Sequence, residues 1–214
     1  MTVSVVVIIA YHNMKVKNSW EELTLNEVLQ IQQIISADID ETYKASNLLS
    51  ILSGLDVDEI ESMPIQQFMK LTPNLEFLKN IPKKRPHTDF YIVGGKKYKL
   101  CANIHNITTA QYIDYQQYMK EENPDLVKLT SIFLIPDGHN YNDGYDMEVV
   151  WGDIGEMKFV DIDSIAFFLR KQFALYTMIT ADYLNQAMKK EKIKKKDRNE
   201  ALLPLHNMAL SLLS

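Results

Sequence analysis

The sequence predicts an α+β fold, predominantly helical, with a small antiparallel sheet formed by an N-terminal strand and a central hairpin. Three observations carry this expectation. The run VSVVVIIA, Val3–Ala10, holds a single polar side chain, Ser4, and is mostly β-branched, which favours a strand buried on both faces. Helix start and stop signals then recur through Trp20–Pro82 and again beyond Thr108. Between these regions DFYIVGGKKYKLCANI, Asp89–Ile104, sets Gly94-Gly95 between two strand-forming runs, the signature of a hairpin.

In chain order, the first strand comes with a question of address. A secretory leader places basic residues before its apolar run and small residues after it. Here Met-Thr precedes and Tyr11-His12-Asn13-Met14 follows, so a strand is expected rather than a leader. The run also falls far short of the ~20 residues of a spanning helix. Thr24-Leu25-Asn26-Glu27 is a capping box opening a helix with Val28, Ile31, Ile34 and Ile35 on one face. Asp40 caps a second helix carrying Tyr43, Leu48, Leu49 and Leu52, with Gly54 as its stop. Asp56 with Glu59 repeats the start signal, Pro64 suits the first turn of the next helix, and Thr72-Pro73 opens NLEFLKNI.

PKKRPHT, Pro82–Thr88, breaks the helical pattern and reverses the charge sign. The hairpin that follows is a long-range partner for the first strand. Thr108 or Thr109 caps a helix with Tyr112, Ile113, Tyr115 and Tyr118; the tyrosine row reads as a face running from core to rim rather than a stacking platform for bases. Asp125 starts DLVKLTSIFLI, expected to stay helical to Pro136. PDGHNYNDGYDMEVV reads as loop, and VDIDSIAFFLRKQFALYTMITADYLNQAMKK as one long helix. A charged run, KKEKIKKKDRNE, separates it from a terminal helix, LLPLHNMALSLL. We read the chain as a single domain, 1–214, with a helical lobe at 19–81, the hairpin at 88–105 and a second helical lobe at 108–214.

Composition narrows the function classes. A net charge of −5 is opposite to that of proteins built to coat nucleic acid. Seven glycines are about half the usual share, which disfavours phosphate-cradling loops. The single Cys101 has no companion for a disulfide or a zinc site, as fits a reducing interior such as a bacterial cytoplasm. GGKKYKL lacks the spacing of a phosphate loop, there is no Gly-x-Ser-x-Gly elbow, and His12, His87, His105, His139 and His206 have no ligand spacing. Asp137–Asp146 offers oxygen ligands but not the alternating register of a calcium loop. No catalytic residue, metal ligand or cofactor site is therefore assigned, and an enzyme acting on a small molecule is not expected.

The remaining feature is electrical polarity. Lys189–Arg198 holds seven basic residues against Glu191 and Asp197, while residues 1–80 hold eleven acidic residues against five lysines. Aromatic stacking partners and a recognition helix are missing around the basic run, so direct sequence-specific nucleic-acid binding is not expected. Opposite charge at two ends suits copies packing head to tail. Candidate subunit-interface residues are Val3, Val5, Val7 and Ile9 on the strand, Lys190, Lys194 and Lys195 in the basic run, and Leu210 and Leu213 in the terminal helix. The strand can add to a neighbour's sheet edge as readily as to its own hairpin.

Two stretches carry a family resemblance. SWEELTLNEVLQIQQIISAD…NLLSILSGLDVDEIESMPIQQFMKL, Ser19–Leu71, is one; IFLIPDGHNYNDGYDMEVVWGDIGEMKFVDIDSIAFFL, Ile132–Leu169, with its Gly-x-x-Tyr turn and Phe-Phe pair, is the other. Their apolar spacing and turn residues resemble structural and assembly proteins of crAss-like tailed bacteriophages, their tail-barrel ring proteins in particular. The resemblance implies a virion subunit of a symmetric ring in the phage neck or tail, assembled in the host bacterial cytoplasm and not membrane-bound. Its partners would be neighbouring copies and other tail or neck proteins. The alternative it leaves open is a tail-assembly chaperone that is not retained in the virion. It carries no catalytic residue to any position here.

Overall fold

The computed structural model describes residues 15–101, 103, 106–121 and 124–213, with side chains to Leu210. The N-terminal strand expected at Val3–Ala10 lies outside the described residues, and with it the pairing expected between that strand and the hairpin. The chain divides into two compact units. The first runs to Arg85 and takes in Gly155–Asp161; the second comprises Pro86–Ile154 and Ile162 to the C-terminus.

The first unit is helical. Helix α1, Leu25–Ser36, begins at the expected capping box: the Thr24 hydroxyl accepts from the Glu27 amide at 3.3 Å, and the Thr24 amide donates to Glu27 Oε2 at 2.9 Å. Helix α2, Glu41–Ser53, is capped by Asp40, which accepts from the Thr42 amide at 2.8 Å. It ends at Gly54, whose φ of 74° is the left-handed conformation that lacks a Cβ penalty in glycine. Helix α3, Val57–Glu61, and helix α4, Ile65–Leu71, follow. Thr72-Pro73 opens no new α-helix. Thr72 closes α4, its hydroxyl donating to the Met69 carbonyl, and Thr72–Lys79 continues as 3-10 turns.

Two apolar clusters hold this unit together. Leu23, Val28, Ile31, Leu48 and Leu52 pack with Trp20, Phe77 and Phe159; Leu49, Ile60, Met63 and Phe68 form the second. The distant Gly155–Asp161 segment is tied in by main-chain bonds from the Leu25 amide to Met157 and from the Phe159 amide to Leu23, both 2.9 Å.

The second unit contains the sheet. Strands β1, Phe90–Val93, and β2, Lys96–Leu100, pair antiparallel across Gly94-Gly95. Both glycines have positive φ, 56° and 78°, as the two-residue hairpin turn demands. The third strand, β3, is Leu134–Pro136, paired antiparallel with β2. This corrects the expected helix to Pro136: α6 spans Leu126–Ser131 only. Ile132, Phe133, Leu134 and Ile135 are all buried; a short run that is apolar on every side suits a buried helix or a buried strand alike, and here the β2 edge takes Leu134–Pro136 as a strand.

Helix α5, Thr109–Tyr118, precedes α6 and starts at Thr108 with Gln111 as its capping box. Helix α7, Met147–Gly155, begins inside the stretch that reads as loop and runs past it; Asp146 caps it, accepting from the Glu148 amide at 3.0 Å. Helix α8, Phe159–Lys190, is the long helix predicted. Helix α9, Lys195–Leu213, begins inside the charged run rather than after it, so the break is confined to Glu191–Lys194, where Lys192 turns with φ 56°. The core is aromatic: Tyr115 stacks on Phe173 at 4.3 Å between centroids, and Phe133 meets both rings edge-on. Tyr115 of the tyrosine row is thus a core residue.

Candidate functional site

The predicted interface residues fall as follows. Lys190 closes α8, Lys194 lies in the turn and Lys195 opens α9, all exposed. Leu210 is exposed on α9, about 22 Å further along the helix axis at 1.5 Å per residue. The structure therefore gathers the lysines into one basic turn and sets the leucine several turns away. The side chain of Leu213 and all of Val3, Val5, Val7 and Ile9 lie outside the described residues.

Sequence spacing gave no hint of a second surface. In the first unit α2, α3 and α4 enclose a groove of about 440 Å³. Its floor is Ile60, Met63 and Phe68, all buried, and its walls include Tyr43 and Ile65, half or more exposed. Asp40 and Glu61 sit on the rim. Asp40 also caps α2, and the Thr42 amide bond holds its carboxyl below the usual carboxylate range. The faint sequence signal is Ile65 and Met69, apolar residues of one short helix that its own unit leaves exposed.

A third cluster joins strand to helix. Asp153 on α7 accepts hydrogen bonds from the Tyr98 hydroxyl and from Lys96 Nζ, the latter at 2.8 Å. Burial pushes the Asp153 carboxyl up, but the Lys96 and Tyr98 bonds outweigh it and hold the group below its ordinary range. The Tyr98 hydroxyl moves upward, through burial first and then Asp153. This donor–acceptor set is a clamp between hairpin and α7, linking residues 55 and 57 positions apart, a separation no motif scan connects.

Other polar clusters are engaged in structure. In the Asp137–Asp146 loop each acid has its own partner. Asp137 pairs with Lys97 at 3.0 Å, Asp143 accepts from the Asn140 amide at 2.6 Å, and Asp146 caps α7. Tyr141 anchors the loop to Asp114 at 2.6 Å. His87 stacks on Phe168 at 3.7 Å in a depression of about 320 Å³ lined also by Asp89, Leu100, Asn103 and Gln172. Lys15, Lys17 and Lys158 line another depression, where Lys15 and Lys17 pair with Glu22 and Glu27 and Lys158 donates to the Glu22 carbonyl. Among the described residues no three His, Cys, Asp or Glu side chains converge as a metal would need, and no helix is long and apolar enough to cross a membrane.

Comparison with protein-family models, with curated proteins and with solved structures finds no match to this chain.

Proposed function

We propose that the protein is a non-catalytic structural subunit that assembles with copies of itself, and, following the family resemblance of Ser19–Leu71 and Ile132–Leu169, a ring protein of a phage neck or tail. One observation supports the assembly reading above the others: the C-terminal half of α8 is apolar on two opposite faces. Phe173, Ala174 and Ala181 are buried, while Leu175, Met178, Ile179 and Tyr183 are 47–70% exposed along the other side. Asp182 stands among these exposed residues; several large apolar side chains left exposed along one side of a helix mark a surface suited to protein–protein contact. Leu203 and Leu210 on α9 are exposed as well.

Sedimentation velocity over a concentration series tests the assembly reading; self-association with a discrete stoichiometry is expected, and a monomer at every concentration ends it. Mass spectrometry of purified particles separates the two phage roles. A ring subunit is present at stoichiometric copy number, whereas an assembly chaperone, whose apolar face would shield tail components, is absent.

A further inference from the structure

We propose that the groove between α2, α3 and α4 is the acceptor for the basic N-terminal end of α9 from a second copy, so that subunits join head to tail. This rests on the assembly reading and names the contact. Charge complementarity selects the occupant. Asp38–Met69, the stretch that builds the groove, holds Asp38, Asp40, Glu41, Asp56, Asp58, Glu59 and Glu61 against Lys44 alone. Lys189–Arg198 holds seven basic residues against two acids. Each patch is repelled by its own kind and attracted by the other, which orients encounter and disfavours a symmetric like-with-like contact.

The apolar parts match in order. On α9, Lys196, Leu203 and Leu210 recur at seven-residue spacing on one side, two turns apart and therefore on one face, with Glu200 beside Lys196 at 3.9 Å, and both leucines are more than half exposed. Across the groove, the acids Asp40 and Glu61 border the floor of Ile60, Met63 and Phe68, with Ile65 standing at its edge. A helix laid with its lysines over the acids brings Leu203 toward that floor, the helix-in-groove mode of recognition. The positive end of the α9 dipole adds to the attraction. Donor and acceptor are different surfaces of the chain, so the contact is heterologous and builds a ring if the rotation closes.

The test uses two full-length variants at exposed positions. The acceptor variant is Glu61→Lys/Ile65→Asp; the donor variant is Lys195→Glu/Lys196→Glu/Leu203→Asp. Circular dichroism checks that each is folded, and sedimentation measures association. Each variant alone is expected to self-associate at least about tenfold more weakly than wild type, the size of a lost central contact. Mixed together they retain one intact donor and one intact acceptor, so a heterodimer that grows no further is expected. Wild-type association is expected to weaken from 0.05 to 0.5 M salt. If the wild type associates and the variants match it, or the mixture gives no heterodimer, this contact is wrong and the assembly reading stands. If the wild type is monomeric throughout, the assembly reading falls as well.

Discussion

Replacing Tyr98 by Phe probes the clamp between the hairpin and α7. The ring, 1% exposed, stays buried; what is lost is the hydroxyl that donates to Asp153. Hydrogen bonds to charged groups contribute about 1.5–3 kcal/mol. Asp153 keeps Lys96 at 2.8 Å, so the carboxylate is not orphaned and the lower end applies, about 1.5–2 kcal/mol. For a chain of this size that is a fall in Tm of about 3–8 °C. Urea unfolding followed by Trp151 fluorescence is the assay, because Trp151 lies on α7 two residues from Asp153 and donates to Ser131 at 3.2 Å. A Trp20→Phe background removes the other tryptophan. The pH dependence supplies a second readout. The folded Asp153 carboxyl is held below its unfolded value. The stability it contributes is therefore complete above about pH 4 and is lost as pH falls through the folded pKa. The difference between wild type and Tyr98→Phe should shrink over that acid range. A difference under about 0.5 kcal/mol at pH 7, or one constant down to pH 2, refutes the clamp.

Three further outcomes are expected. Leu49→Ala, at a fully buried position on α2, should cost about 2–5 kcal/mol in chemical denaturation. Gly155→Ala would place a Cβ 2.5–2.7 Å from the Asn26 amide group, which bonds Glu156 at 3.0 Å; the amide end must swing aside and give up that bond, so a loss of about 0.5–1.5 kcal/mol is expected, removed in an Asn26→Ala background, as a double-mutant cycle measures. Cys101, whose thiol is pushed up by burial against a smaller opposing effect of Lys99, should alkylate with iodoacetamide more slowly at pH 7 than a free thiol, and at the free rate in urea.

The helix starts were legible because their determinants are local. Thr24 with Glu27, Thr108 with Gln111, and Asp40 with Thr42 are contacts two or three residues apart, and the Gly94-Gly95 turn needs only its own backbone freedom. The basic turn at Lys190–Lys195 was legible for the same reason, as a run of like charge. The groove was not: its floor joins Ile60 of α3, Met63 of the turn after it and Phe68 of α4, beside Tyr43 of α2, with no spacing signal that links them.

What the sequence determined by itself is therefore the helical character, the hairpin with its turn, and the opposed charge of two segments. Tertiary structure decided which strand joins β2, where α6 stops, and that Asp153 meets Tyr98 and Lys96. An apolar run such as Ile132–Ile135 satisfies its backbone equally in a helix or a ladder until a partner edge is present. That partner, β2, lies more than thirty residues away in the chain, beyond the reach of any local pattern.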